Sequence, residues 1–320
     1  MIRIPFQKFR NSEETYKKII DKQKTKIREK SMINIRHYVR EELKKYDGIY
    51  LPVKANILEQ IFVSKISPKK IHPNPNDEFC FEDIGPSDKI IGKYCSQISI
   101  NRENGAVLFD DSLIVEKIRP DGYMLLNGHH RWAAGILMEV KTLPVKVTNL
   151  TQPSDIVDLL KKTSRTKRAS INLDDVVFCQ DNTGPAEKPL FFPFNKIFPE
   201  RIRKGIPGLV YALRTAGYDV WVYTAGYSST DYINQLFRHH RIRVDGIVNG
   251  TNRMKSAKGD SVSRIKKIIA EKYRVTLNID LETVSWIRSE IKDFEQIDIP
   301  SNGEDFGQQV IAIVRKLKDL

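Results

Sequence analysis

In the second half of the chain, short apolar runs alternate with helix-length amphipathic segments, and this alternation restricts the fold more than any other feature of the sequence. "DVVFC", "YDVWVYTAG", "VDGIVNG" and "TLNID" read as strands, with "GLVYALRTAG", "TDYINQLFRHH" and "SVSRIKKIIAEKY" as helices between them and "FGQQVIAIVRKLKDL" as a closing helix. Strands separated by whole helices do not form hairpins; they line up in parallel, with helices covering both faces of the sheet. The expectation for residues 173–320 is therefore a Rossmann-like parallel sheet.

The first half has a different texture. Residues 12–46 contain no Pro or Gly and are rich in Lys and Arg, which suits one or two surface helices, so residues 1–50 read as a basic helical segment. From Ile61 a short strand gives way to a Pro-, Asn- and Asp-rich loop. "DSLIVEKI" and "YMLL", joined by the turn "RPDG", then predict a hairpin. A helix from His129, the strand "TLPVKVTNL" and a short helix in "SDIVDLLKKT" complete a smaller α+β domain over 51–160. The polar, aperiodic "KKTSRTKRASIN" reads as a linker over 161–172. The fold class is thus α/β, in two domains.

With 53 Lys and Arg against 40 Asp and Glu, the formal charge is +13, which favours a phosphate-bearing or polyanionic partner. Basic residues Lys22, Lys24, Lys26, Arg28 and Lys30 offer a contact for nucleic acid, although they fall on several helix faces. The three cysteines are too scattered for a disulfide framework or a zinc site. No run has membrane length and no signal-peptide core precedes the first helix, so the expected setting is the cytoplasm, with no membrane partner.

The stretch "GYMLLNGHHRWAAG" carries the first candidate site. Its strand turns at Asn127-Gly128 into a helix that opens on His129, His130 and Arg131. Unpaired backbone N–H groups, a positive dipole end and a guanidinium together make an anion site, and phosphate is the commonest anion for one. Nearby on the preceding loop, "HPNPNDEF" supplies Asp77 and Glu78 as candidate general bases or Mg²⁺ ligands.

"LLNGHHRWAA", preceded by "SLIVEKI" and followed by "LPVKV", resembles the ParB/sulfiredoxin superfamily in the order of its strand, Gly-x-x-Arg turn, helix and Leu-Pro-Val strand. The resemblance implies that this turn cradles the phosphates of ATP or CTP, together with Mg²⁺. Asn127, Gly128, His129, His130 and Arg131 would hold the nucleotide, Gly128 by permitting close backbone approach and Arg131 by a bidentate grip. It also implies that a kinase-like member would use Asp77 or Glu78 towards a substrate hydroxyl, with His130 as a proton carrier. His129 stands where sulfiredoxins carry cysteine and where ParB proteins carry glutamate, which argues against both of those reactions.

The second half resembles the haloacid-dehalogenase-like phosphatases. "VVFCQDNTG" takes the place of the opening strand, and "YDVWVYTAG" supplies Thr224 as a phosphate-binding hydroxyl. "MKSAKGD" offers Lys258 or Lys255, and "NIDLE" ends in Asp280 and Glu282. On this alignment Cys179 occupies the nucleophile position and Asp181 the acid/base position. Thiolate is a poor Mg²⁺ ligand, so the expectation is a degenerate domain that binds a ligand through Asp181, Thr224, Lys258 and Asp280.

The reading that follows is a nucleotide-dependent phosphotransferase, with the second domain positioning a small-molecule or nucleic-acid substrate. Two others stand beside it: a ParB-like nucleotide switch that contacts nucleic acid, and a phosphatase with an altered nucleophile.

Overall fold

The computed structural model describes residues 35–45, 50–179, 185–251, 261–288, 293–300 and 305–318. It divides into two compact units, one of residues 1–51 and 65–145 and one of residues 52–64 and 146–320. The basic run Lys22 to Lys30 lies outside the described residues. The architecture is mixed α/β with two mixed sheets, and no helix among the described residues is long and apolar enough to cross a membrane.

In the first unit, helix α1 (35–45) buries Ile35 and Val39. Strands β1 (Leu51–Pro52), β2 (Ser64–Ile66) and β3 (Ile71–His72) are short; helix α2 (Ile57–Ile61), between the first two along the chain, belongs to the second unit. Strands β4 (Leu113–Arg119) and β5 (Tyr123–Asn127) form the expected antiparallel hairpin, and β3 runs parallel to β5. With β6 (Leu143–Thr148) the strand order is β2-β6-β4-β5-β3, and β1 lies beside β4. Helix α4 (His129–Leu137) follows β5 directly, as its sequence predicts. Its Trp132 is fully buried, with the indole N–H donating to the Pro68 carbonyl at 3.0 Å.

Helix α3 (Asp88–Glu103) is sixteen residues long and escapes a reading by periodicity. Ile91 and Ile98 are its fully buried anchors, and the segment between them, "GKYCSQ", is mostly polar.

The second unit begins its β-structure where the sequence suggests a linker. Strand β7 (Lys167–Asn172) is the central strand of the second sheet, not a connector. It runs parallel to β8 (Tyr218–Tyr223) on one side and to β10 (Val275–Ile279) on the other, and β9 (Gly246–Val248) extends the parallel set beyond β8. The segment "DVVFC" is correspondingly no strand. Leu173–Val177 forms a wide helical turn, and Phe178 makes an isolated bridge to Ile202. An antiparallel pair, β11 (Thr283–Arg288) and β12 (Asp293–Asp298), completes the order β12-β11-β10-β7-β8-β9.

Both faces of this sheet are covered, for the reason the alternation gives. Ala169, Ile171, Val220, Val222 and Leu277 point into one core, with residues of α6 (Ile206–Thr215), α7 (Thr230–His239) and the C-terminal helix Phe306–Lys318. Trp221 and Val248 point the other way, towards α5 (Pro153–Lys161) and the helix Ser261–Lys272.

Candidate functional site

Strand β5 delivers the chain to the head of α4 through Gly128, which occupies the left-handed region at φ 97°. A side chain there would be strained, and its Cβ would also lie 3.1 Å from Nη2 of Arg131. Glycine therefore lets the guanidinium fold back over the turn. Arg131 Nη1 donates to the Asp111 carbonyl at 2.7 Å, and Nη2 lies 3.5 Å from Asn127 Oδ1. No side chain caps α4 and its first turn contains no acid, so the positive end of its dipole is uncompensated by the helix's own residues.

The two histidines behave differently from the sequence expectation. His129 is the first residue of α4, yet its side chain is buried, 4% exposed. Its Nε2 accepts the Asn74 N–H at 3.4 Å, which leaves the proton on Nδ1, 3.5 Å from Asp77 Oδ2. His130 accepts the Ser87 N–H at 3.2 Å through its own Nε2. Both rings pack on Phe79, at centroid distances of 5.4 and 5.1 Å. Burial pushes the His129 imidazole down to about 4, with His130 adding to the effect and Asp77 opposing it; burial lowers His130 as well.

Neutral His129 thus serves to orient Asp77. The other Asp77 oxygen accepts the Phe79 N–H at 3.0 Å, capping the turn Glu78–Cys80. The carboxylate is half-buried and fixed from two sides, whereas Glu78 is exposed. Of the two acids that the sequence nominates, Asp77 is the one held in place beside the first turn of α4.

A stability consequence follows from His129. The folded protein keeps it neutral down to about pH 4, while an unfolded chain takes up the proton near 6.5, so acid favours unfolding. Its contribution is complete above about 6.5 and is lost as pH falls towards 4. Denaturant midpoints should therefore drop between pH 7 and pH 5, and His129→Gln should flatten that slope. Equal slopes in the two proteins would contradict this account.

In the second unit the C-terminal ends of β7, β8 and β10 surround a cavity of about 390 Å³. Parallel α/β sheets place ligands at this edge, where neighbouring strands connect in opposite directions. Asn172 and Asp280 each lie one residue beyond the registered pair Ile171 and Ile279. The Asp174 carboxylate accepts the Thr224 hydroxyl, 2.8 and 2.9 Å from its two oxygens, and the Ala225 N–H at 3.0 Å. Asn172 caps the turn, its Oδ1 accepting the N–H groups of Asp174 and Asp175 at 2.9 and 3.3 Å. Its Nδ2 donates to Asp175 Oδ2 at 2.7 Å.

Thr224 and Asp280 accordingly line the cavity, as expected, but Cys179 does not. Its thiol faces the Pro185 carbonyl at 3.6 Å, several residues past the end of β7. Strand β7 ends on Asn172, and the acid two residues on is Asp174. Asp181 and Lys258, like Lys255, lie outside the described residues. The signal for this registration was present in "KRASIN", where Ala169 and Ile171 alternate with polar neighbours.

Among the described residues, no group of three or more His, Cys, Asp or Glu side chains is arranged to hold a metal ion. Both oxygens of Asp77 already face protein donors, so direct ligation of Mg²⁺ there fits poorly, and Glu78 is the freer carboxylate of the pair. No family model and no curated protein matches this sequence.

Proposed function

We propose that this chain is a nucleotide-dependent phosphotransferase whose first unit binds the triphosphate of ATP or CTP at the head of α4. One observation carries the reading. A glycine-opened, uncapped helix N-terminus, free of first-turn acids, carries Arg131 in its first turn and has the fixed Asp77 beside His129. The resemblance of this stretch to ParB/sulfiredoxin proteins adds to it. Phosphates would accept the N–H groups of the first turn, and Arg131 would swing from the Asp111 carbonyl to a stronger, charged acceptor. Mg²⁺ bound to the triphosphate would neutralise phosphate charge, with Glu78 as its nearest free carboxylate.

Asp77 would take the proton from an acceptor hydroxyl as that oxygen bonds to the terminal phosphorus. The bond from that phosphorus to its bridging oxygen would break, releasing the nucleoside diphosphate. His129, neutral and buried, would keep Asp77 aligned without competing for the proton.

In the second unit, the Asp174–Thr224 pairing and the Asn172 amide support a phosphatase-like domain that binds a phosphate-bearing ligand without hydrolysing it. An amide cannot serve as the carboxylate nucleophile that such enzymes use.

The direct test is calorimetric titration of ATP and CTP, each with Mg²⁺, into the wild type and Arg131→Ala. Saturable binding of one nucleotide should weaken by at least about tenfold in the variant, the loss expected of a charged hydrogen bond to phosphate. Absence of binding to the wild type would remove the nucleotide from this reading.

A further inference from the structure

Helix α1 carries Arg36, Arg40 and Lys44 at four-residue spacing, so three cations share one helical face, an arrangement that like-charge repulsion disfavours. All three line a cavity of about 320 Å³, within the range of small-molecule sites. Arg36 is fixed there. It donates to the Pro86 carbonyl at 3.2 Å and lies so close to Gly85 that a Cβ would meet its Nη1 at 2.9 Å. Lys44 makes an exposed pair with Glu41 at 3.1 Å, a contact that water screens. Arg40 is exposed and has no hydrogen bond or ion pair among the described residues.

The opposite wall is aromatic, formed by Tyr50, Phe79 and Phe81. Cys80 also lines the cavity; burial, reinforced by Asp77, pushes its thiol up to about 12, so it adds no negative charge at neutral pH. Among the described lining residues Glu82 is the one acid, against three cations. A ligand suited to both walls must combine an anionic group with a flat, apolar body.

We propose that this cavity is a binding site for a small aromatic anion, an aryl phosphate or aromatic carboxylate, with its charge on Arg36 and Arg40 and its ring against Tyr50 and Phe81. The site is separate from the nucleotide turn and does not depend on it. The two meet at Phe79, whose ring packs on His129 and His130.

Calorimetric titration of phenyl phosphate and of inorganic phosphate into the wild type, Arg40→Ala and Arg131→Ala tests the proposal. Phenyl phosphate should bind the wild type about tenfold more tightly than inorganic phosphate does, because only the former can use the aromatic wall. Arg40→Ala should weaken phenyl phosphate by about tenfold or more, and Arg131→Ala should leave it unchanged. Because Arg40 is exposed, its loss leaves the fold intact, and a circular dichroism spectrum checks this. The proposal is overturned if phenyl phosphate does not bind saturably, if Arg40→Ala binds it as the wild type does, or if the two probes bind equally. Loss of binding in Arg131→Ala alone would place the anion at α4 and also overturn it. Nucleotide binding fails or survives in the separate ATP and CTP titrations, so the two readings are judged independently.

Discussion

Asp77→Asn is expected to leave nucleotide affinity within a few-fold of the wild type and to lower phosphoryl transfer by about 10²- to 10⁴-fold, the usual worth of a positioned general base. The side chain keeps its shape, and its oxygen can still accept the Phe79 N–H that now stands 3.0 Å from Oδ1. What disappears is the ability to accept a proton from the incoming hydroxyl. The amide also disturbs the pairing with His129. The Asn74 N–H at Nε2 fixes the proton on Nδ1, and an amide NH₂ turned towards that N–H would oppose donor to donor. Some loss of stability should accompany the kinetic defect, and denaturation midpoints separate the two.

Glu78→Gln is the matched control, since Glu78 is exposed and caps nothing. It should leave turnover at saturating nucleotide within a few-fold and affect mainly the Mg²⁺ concentration required. If Glu78→Gln abolishes transfer while Asp77→Asn does not, the base has been assigned to the wrong carboxylate. Single-turnover transfer with radiolabelled nucleotide reads both outcomes.

Where the sequence was legible, side-chain chemistry and periodicity agreed. The head of α4 could be read because Asn-Gly marks the turn, the apolar residues before it mark a buried strand, and Trp132, Ala133 and Ala134 mark the buried helix face. Strand β7 could not be read in the same way. It carries Lys167, Arg168 and Ser170 among its apolar residues, and Arg168 finds partners only in the folded sheet, donating to the Tyr223 hydroxyl at 2.7 Å and the Thr276 hydroxyl at 3.2 Å. A cation whose partners lie on other strands looks like linker until those strands are in place. The same cause displaces the second site: a reading of β7 as connector puts the first strand at "DVVFC" and its end at Cys179, whereas β7 ends on Asn172. The hairpin β11–β12 is hidden by its position at the sheet edge, where exposed residues such as Phe294 and Gln296 break the buried pattern. His129 misled for a different reason. Burial is a tertiary property, and nothing local distinguishes a histidine that meets a phosphate from one that braces a carboxylate.

Replacing Asn172 by aspartate should have the largest effect in the second unit, because it adds the one chemical group that the resemblance to phosphatases requires. The new carboxylate would keep one oxygen on the N–H groups of Asp174 and Asp175. Its other oxygen would replace an amide that donates to Asp175 at 2.7 Å, bringing two negative charges into contact. Without a cation that contact is repulsive, so the variant should melt below the wild type in EDTA. With Mg²⁺ added, the carboxylates at 172, 175 and 280, all lining the cavity, would supply oxygen ligands, and the deficit should reverse. At a Mg²⁺ concentration one hundredfold above the dissociation constant, binding contributes about 2.7 kcal/mol, enough for a shift of several degrees. Asp174, held by Thr224 and Ala225, would be in place as the acid/base partner of the restored nucleophile. Hydrolysis of p-nitrophenyl phosphate should therefore appear in Asn172→Asp and remain at background in the wild type and in Asn172→Ala. A variant that neither responds to Mg²⁺ nor hydrolyses the ester would separate this sheet from phosphatase chemistry, and would leave Asn172 as the cap of a turn and nothing more.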